Sequence, residues 1–244
     1  MFELKMKLCG KNIRASVLYE ATVDFCSDYL SSFDKEDIFI EISVFDIVDE
    51  QKKFDREREL EGVASYKAPK EELETLALYR KIADNLIDYN IILFHGSCVS
   101  LNGEAYLFTA QSGTGKSTHT RLWRERFGER AVMVNDDKPL IEILDGKVIV
   151  HGTPWNGKHR LGNNISMPLK AICILERAEN NNIKEVYPLS EFPKILSQTY
   201  RTKDADFMKK TLALLDSMLK LVKVYKLGCN MDPSAAEVSY NGMK

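Results

Sequence analysis

The sequence contains no long apolar run and no apolar segment near its start. None of its stretches approaches the roughly 20 consecutive apolar residues that a membrane-spanning helix needs. The opening residues, MFELKMKLCGKNIR, also lack the apolar centre of a signal peptide. We therefore expect a cytoplasmic protein that is neither exported nor held in a membrane.

The cysteines do not form the pairs that structural sites use. Their number is odd, and no two have the CxxC spacing of zinc sites and redox motifs: Cys9, Cys26, Cys98, Cys173 and Cys229. This pattern argues against a disulfide framework and against a zinc centre. It is typical of a protein that works in a reducing compartment.

The chain also lacks an excess of charge of either sign. It has 34 Lys and Arg residues against 36 Asp and Glu residues, a formal net charge of -2. This balance gives no electrostatic reason to expect a nucleic acid or an anionic membrane as a partner. Any binding of phosphate must therefore come from a local arrangement of residues.

Repeats and linkers rich in Pro, Gly or Ser are absent as well, but the sequence pattern changes near residue 90. Residues 1–90 have the pattern of a small α/β unit, and residues 91–244 form a second unit. The apolar residues 38–48 predict a strand, and the charged residues 49–62, which lack apolar periodicity, predict an exposed loop. Apolar residues at helical spacing predict a helix behind a proline: Pro69, Leu73, Leu76, Ala77, Ile82 and Leu86.

The first unit contains no cluster of catalytic residue types. We expect it to act as a scaffold for packing and for a homo-oligomer. A role in substrate recognition is the alternative.

The second unit begins with a predicted β-hairpin. Residues 91–100 and 105–110 are rich in β-forming residues, and the pair Asn102-Gly103 between them suits a type I′ turn, in which both central residues take positive φ. With these two residues in the turn, Leu101 faces Glu104, and His95 comes opposite Ala110. His95 is therefore expected beside the segment that follows the second strand.

A second tight turn is predicted at Asp145-Gly146, between the β-rich segments PLIEIL and KVIVHG. Nucleotide-binding sheets of the doubly wound type alternate strands with helices. Two hairpins instead favour a mixed sheet in an α+β fold, and they disfavour the usual GTPase or ATPase topology.

The segment that follows the first hairpin, TAQSGTGKST, has the composition of a phosphate-binding loop. A strand, a loop of small residues, a lysine, a hydroxyl and an amphipathic helix follow in order, and the candidate nucleotide-binding residues are Gln111, Ser112, Gly113, Thr114, Gly115, Lys116, Ser117 and Thr118. Glycines let backbone N–H groups turn toward phosphate, lysine neutralises phosphate charge, and the hydroxyl binds Mg²⁺. The departure is Ala110, which stands at the first glycine position and must keep ordinary β geometry. The alternative is a structural turn into a helix.

Two adjacent carboxylates, Asp136 and Asp137, follow the β-rich residues 131–134. Neighbouring side chains on a strand point to opposite faces, so both reach one site only where the strand ends and bends. In phosphoryl transfer one carboxylate holds Mg²⁺ and another takes the proton of the attacking hydroxyl. A solvated turn or a helix cap is the alternative.

These residues carry a resemblance to a known family. HGSCVSLNGEAYLFTAQSGTGKS followed by VNDD resembles the HPr kinase/phosphorylase family, whose fold is shared with the nucleotide-binding core of phosphoenolpyruvate carboxykinase. The resemblance covers roughly residues 91–175. It implies a kinase that uses ATP and Mg²⁺ and transfers phosphate to a hydroxyl, in the family's best-known case a serine of a carrier protein.

The resemblance also implies a role for each matching residue. Lys116 and Ser117 would serve the phosphates and Mg²⁺. Asp136 would be the catalytic base and Asp137 a ligand of the metal. His95 would form a hydrogen bond with Asp136 and tune it.

The sequence departs from the family in three ways. Ala110 resembles the carboxykinase branch, the glycine-rich signature that accompanies phosphorolysis has no match downstream, and the first unit differs in length and pattern. We therefore expect a serine-type hydroxyl kinase that acts on a small molecule, a peptide or a protein, and is not an HPr kinase proper. A nucleotide-binding regulatory or accessory protein without turnover is the alternative.

The loop after the second hairpin is the candidate substrate site. Continuing the pairing across Asp145-Gly146 brings the polar and basic segment that starts at Trp155 level with the two carboxylates. Lys158 and Arg160 could then bind an anionic group of the acceptor or the transferring phosphoryl, and Arg201 is a candidate for a second anion contact. An ordinary charged surface loop is the alternative.

Overall fold

The computed structural model describes residues 1–60, 62, 64, 66–157 and 159–244. The chain divides into two compact units, Met1–Asn85 and Leu86–Lys244. The sequence pattern predicts the division between residues 90 and 91, just before a strand. Within the part of the chain that is described, no helix is both long and apolar enough to cross a membrane.

The described residues of the N-terminal unit form a three-stranded sheet and three α-helices. In chain order these are β1 (Phe2–Leu8), β2 (Lys11–Val17), α1 (Glu20–Phe25), β3 (Ile38–Glu41), α2 (Val44–Leu60) and α3 (Lys70–Leu86). Strand β2 pairs antiparallel with β1 and parallel with β3. Buried residues alternate with exposed or half-buried ones along the strands, as in Leu4, Met6 and Leu8, which is the alternation of a sheet with one face on the core.

Helix α2 overturns the prediction of a strand over residues 38–48 and a loop over 49–62. Strand β3 ends at Glu41, and a helix begins three residues later, at Val44. Ser43 and Asp46 cap its start: the backbone N–H of Ser43 donates to Asp46 Oδ2 at 2.8 Å, and the hydroxyl does so at 2.7 Å. The spacing S-x-x-D is a helix-start signal that the sequence contains. Buried Glu50 then accepts from Arg80 Nε of α3 at 2.9 Å, so the charged helix has tertiary support.

Helix α3 follows the prediction from its apolar spacing, and it contributes a buried carboxylate. Glu74 is fully buried. It accepts hydrogen bonds from Leu18 N at 2.5 Å, Tyr19 N at 3.1 Å and Thr22 Oγ1 at 2.5 Å, all at the start of α1. The carboxylate thus satisfies N–H groups that a helix start leaves without partners.

The described residues of the C-terminal unit form one mixed sheet of nine strands with helices on its faces. The elements are β4 (Ile91–Leu93), β5 (Ser97–Leu101), β6 (Glu104–Thr109), α4 (Lys116–Phe127), β7 (Ala131–Asn135), β8 (Leu140–Leu144), β9 (Lys147–His151), β10 (Ser166–Arg177), β11 (Asn182–Val186), α5 (Phe192–Ser197), α6 (Ala205–Leu221), β12 (Lys223–Cys229) and α7 (Ser234–Met243). The strand order is β4-β8-β9-β10-β6-β5-β7, with β12 also beside β10 and β11 beside β12. Strand β10 is parallel to β6 and β12, whereas the hairpins are antiparallel. The expected α+β fold with a mixed sheet is therefore observed.

Both predicted hairpins are present, in the predicted register. Strand β5 pairs with β6 from Leu101↔Glu104 to Ser97↔Phe108, and Asn102 and Gly103 take φ values of 55° and 83°. Strand β8 pairs with β9 across Asp145-Gly146. The turn residues thus set the alignment of both strand pairs.

The predicted single strand over residues 91–100 is two strands. Strand β4 pairs with β8, and β5 pairs with β6 and β7. The intervening residues hydrogen-bond elsewhere, because Phe94 N donates to Pro139 O at 3.1 Å and His95 N to Gln198 O at 2.7 Å. Because the strand breaks here, β4 can pair with β8 while β5 pairs with β6 and β7.

Alternate residues of the central strands pack into two hydrophobic cores, one on each face of the sheet. Cys98 and Leu107 pack with Leu215 and Met218 of α6. On the other face, Tyr106 packs with the apolar side of α4 and with α7. The sheet is buried on both faces, as the helix-covered layers of such folds require.

Replacing Glu74 with Ala should strongly destabilise the protein. One buried and two half-buried donors would lose their acceptor, and we expect a loss in the free energy of unfolding on the order of 3 kcal/mol. Urea unfolding of the full chain, followed by circular dichroism, measures it. Glu71→Ala, an exposed carboxylate on the same helix turn, should cost less than about 1 kcal/mol. Equal losses in the two variants would contradict this account of Glu74.

Candidate active site

The candidate phosphate loop connects the end of β6 to the start of α4. Gly113 and Gly115 take φ values of 75° and 122°, and Ala110 is not among the residues with positive φ. A Cβ added at either glycine would meet no atom within 4 Å. Backbone conformation, and not crowding, therefore requires glycine at these two positions.

Lys116, the first residue of α4, lies over this loop. Its side chain is buried, and its Nζ donates to Ala110 O at 3.0 Å. Burial lowers the pKa of the ammonium and the Asp137 and Asp136 carboxylates raise it, while neighbouring Lys138 adds to the lowering. The lysine is thus within electrostatic reach of both carboxylates.

The start of α4 offers backbone donors toward the loop. Its N-cap residue is Gly115, and no side chain in the described part of the chain caps this helix. The N–H groups of the first turn, at Lys116, Ser117 and Thr118, have no acceptor within the helix, and the helix dipole adds partial positive charge there. Arg177 Nη2 donates to Gly113 O at 2.7 Å and so fixes the loop from outside.

Asp136 lies directly after β7 and is 6% exposed. Its Oδ1 accepts from Ser97 Oγ at 2.6 Å, and the Thr120 hydroxyl of α4 lies 2.8 Å from the same Oγ. Gly157 packs against the other oxygen, since a Cβ at this position would lie 3.0 Å from Asp136 Oδ2. The carboxylate is therefore held between β5, α4 and the loop after β9.

Asp137 has different surroundings from Asp136. Its side chain is 35% exposed, and its Oδ1 lies 2.9 Å from Lys138 Nζ and 3.4 Å from His95 Nε2. The predicted pairing of His95 with Asp136 is thus wrong: His95 contacts Asp137, and Ser97 takes the place beside Asp136. The cause is the backbone alignment after the break in the strand, because Gly96 N donates to Asp137 O at 3.1 Å.

His95 is held in its neutral form. Burial lowers its pKa to about 4, and the nearby charges of Lys138 and Lys116 act in the same direction, against Asp137. Its backbone carbonyl accepts from Thr109 Oγ1 at 3.0 Å. The His95 backbone is therefore next to the end of β6, as the hairpin register predicts.

Asn135 shapes the turn that carries both carboxylates. This fully buried side chain accepts at Oδ1 from Asp137 N at 2.8 Å and from Lys138 N at 2.7 Å. Its Nδ2 donates to Thr153 Oγ1 at 3.0 Å, and that hydroxyl donates to Lys138 O at 2.8 Å. The amide thus ties the carboxylates to the loop after β9.

A cavity of about 460 Å³ joins the loop helix to Asp136. The lining residues are Ser117, Thr118, Thr120, Arg121, Arg124, Asp136, His159 and Leu161. Thr118 also lines a second cavity of about 380 Å³, which includes Leu122 and Met231. The start of α4 therefore borders two cavities, and the first, lined by Arg121, Arg124 and Asp136, is the charged cavity.

Three of the four residues expected to bind substrate are not among the described residues that line the charged cavity. Trp155 is buried, Arg160 and Arg201 are exposed, and none of the three is among the described lining residues. Lys158 lies outside the described residues. Instead, His159 comes from this loop, and the arginines come from α4.

Sequence reasoning missed Arg121 and Arg124. A signal was present, because Ser117, Thr120, Arg121 and Arg124 recur at the three- and four-residue spacing that defines one helix face. Only the placement of Asp136 beside that face shows that it borders a site.

The fold and the site together describe an α+β protein in which a glycine-containing loop, a buried lysine and two carboxylates meet at one edge of a mixed sheet. No protein-family model matches the chain, and no curated protein has significant similarity to it. Among solved structures, the Hpr(Ser) kinase/phosphatase from Coxiella burnetii matches with a TM-score of 0.34 and 11% identity, over 61% of this chain and 94% of that one. Membership in the HPr kinase family stays a prediction, and the function rests on the site itself.

The neutral state of His95 is open to direct measurement. In the nucleotide-free protein its ring should titrate near pH 4, well below the usual value of about 6.5. Because the folded state disfavours the protonated ring, the associated stability is present above pH 6.5 and is lost as the pH falls toward 4. NMR of the histidine ring carbons measures the midpoint, with His95→Gln assigning the signal. A midpoint at or above 6.5 would contradict the prediction.

Proposed function

We propose that the protein is a kinase that uses Mg²⁺ and ATP and transfers the γ-phosphoryl group to a serine-type hydroxyl of an acceptor. The observation that carries the proposal is the charged cavity, because its wall contains both the first turn of the loop helix, at Ser117 and Thr118, and the Asp136 carboxylate. A phosphate-binding helix start and a candidate base on one cavity are the parts that phosphoryl transfer to a hydroxyl needs.

The loop fits a triphosphate in three respects. Gly113 and Gly115 hold the backbone conformation that turns N–H groups toward an anion. The first turn of α4 has N–H groups without helical acceptors. Lys116 places a buried positive charge beside them, held in the free protein by the Ala110 carbonyl. We expect the ammonium to leave this carbonyl for the phosphates.

The residues near the loop also fit Mg²⁺. The described residues contain no group of three or more His, Cys, Asp or Glu side chains that could hold a metal ion. Magnesium needs no such group, because one or two carboxylates, waters and substrate phosphates complete its shell. Ser117 and Asp137 would hold the ion, which supplies positive charge to the transferring phosphoryl group.

Asp136 is the better candidate for the base. Ser97 engages its Oδ1, whereas no described residue donates a hydrogen bond to Oδ2. Asp137 is instead paired with Lys138, which favours a role in holding charge. Asp136 would take the proton of the acceptor hydroxyl as that oxygen bonds to the γ-phosphorus and the bond from the γ-phosphorus to ADP breaks.

Lys116→Ala should abolish stabilisation of the protein by Mg-ATP. The variant loses the charge that faces the phosphates, while the melting temperature without nucleotide should stay nearly unchanged. Thermal shift with and without Mg-ATP measures both. Lys220→Ala, which removes an exposed lysine of α6, is the matched control and should respond like the parent. Full stabilisation of Lys116→Ala would remove the loop from the nucleotide site.

Asp136→Asn should lower the rate of phosphoryl transfer about 10²- to 10⁴-fold, because the amide keeps the shape but is no base. Binding of Mg-ATP should persist. Asp137→Asn should instead raise the Mg²⁺ concentration needed for turnover, since it withdraws a charged oxygen ligand. Initial rates with labelled ATP and a panel of amino acids, polyols and peptides test both variants.

Two results would change this assignment. Turnover of Asp136→Asn at the parent rate would place the base elsewhere. Binding of Mg-ATP by the parent without transfer to any acceptor would favour the regulatory alternative.

A further inference from the structure

We propose that the acceptor is a small hydroxyl compound that carries an anionic group, a carboxylate or a phosphate, and that Arg124 binds this group. The inference rests on the proposed function, because it assigns the charged cavity to the acceptor. It names the substrate class, which the phosphate loop and the base leave open.

The arginines of α4 differ in their partners. Arg121 pairs with Glu125 at 2.6 Å, and Arg126 pairs with Glu237. Arg124 is half-buried and lines the cavity, yet no hydrogen bond or ion pair joins its guanidinium to any residue that the structure describes. A partly buried guanidinium with five donors and no acceptor is a site for an anion.

The charges that line the cavity leave Arg124 without a partner among the described residues, which favours an anionic group on the ligand. Among its described lining residues, Arg121 and Arg124 are cations, and Asp136 is the carboxylate. Asp136 is engaged by Ser97 and does not pair with Arg124. The Arg124 charge is thus left for a ligand, and a guanidinium binds carboxylates and phosphates through two parallel hydrogen bonds.

The position of Arg124 favours the acceptor over the nucleotide as its ligand. At 1.5 Å per residue, its Cα lies about 12 Å along the helix from that of Lys116. The phosphates are expected at the helix start, so Arg124 borders the far part of the cavity. A volume of about 460 Å³ lies in the range of small-molecule sites, with room for a hydroxyl at Asp136 and an anionic end at Arg124.

Matched acceptor pairs test the inference. L-serine against L-serinamide, and glycerate or glycerol 3-phosphate against glycerol, differ in the anionic group, and a neutral seryl peptide represents larger acceptors. Phosphorylation by the full-length protein and equilibrium binding without nucleotide are both measured. We expect the parent to prefer an anionic member, with the carboxylate and phosphate pairs showing which group it takes.

Arg124→Gln should raise the KM for that anionic acceptor, or its Kd, about 10- to 100-fold, as expected for loss of a charge-assisted pair. The counterpart that lacks the anionic group should change less than about twofold. Arg124→Lys should recover part of the loss, because it keeps the charge without the fork. Arg126→Gln, on the same helix but paired with Glu237, is the control and should behave like the parent. Stabilisation by Mg-ATP should be unchanged in all three variants.

The outcomes separate this inference from the kinase proposal. Binding of an anionic compound that depends on Arg124, without phosphoryl transfer, would support the anion site and count against the kinase. The inference is overturned if neutral compounds serve equally well, if only the peptide is a substrate, if no panel member binds, or if Arg124→Gln weakens Mg-ATP instead of the acceptor.

Discussion

The site depends on the pairing of β5 with two strands at once. Strand β5 runs antiparallel to β6 on one side and to β7 on the other. Strands β6 and β7 therefore end at the same edge of the sheet, beside the start of β5. The loop leaves from the end of β6 and the carboxylates follow β7, so one strand with two antiparallel neighbours brings the elements of the site together. The two-residue turn at Asn102-Gly103 sets the register of the first pair, and with it the position of Ser97.

Buried polar side chains hold this edge in one arrangement. Ser97 bridges Thr120 and Asp136, and Asn135 bridges the turn after β7 and Thr153. Such groups are costly to bury without partners, so a slipped register would leave several of them unsatisfied. The same burial lowers the pKa of Lys116 and His95. Neutral His95, beside Asp137 and near two lysines, limits the positive charge at an edge that already holds Lys116 and Lys138.

Sequence reasoning succeeded where the determinants are local. Turn residues specify a hairpin and its register within a few positions, and so the sequence alone aligns β5 with β6 and β8 with β9. It failed where contacts between residues far apart in the sequence determine the structure. Helix α2 is supported by Arg80 of α3, and the partner of His95 is set by a strand break and a bond to the backbone of Asp137. Arg124 was likewise missed, because its relevance depends on which face of α4 lies beside Asp136.

The alanine at the start of the loop illustrates the same distinction. Its side chain packs into the core on the α4 face of the sheet, and its carbonyl accepts the Lys116 ammonium. Neither the packing of the side chain nor the hydrogen bond of the carbonyl requires glycine at this position, since the positive φ values occur later, at Gly113 and Gly115. A glycine requirement therefore applies to the half of the loop that turns toward open space. A sequence motif that requires glycine both where the chain leaves the strand and within the turn places one requirement on two different parts of the loop. In this backbone only the turn, at Gly113 and Gly115, has positive φ.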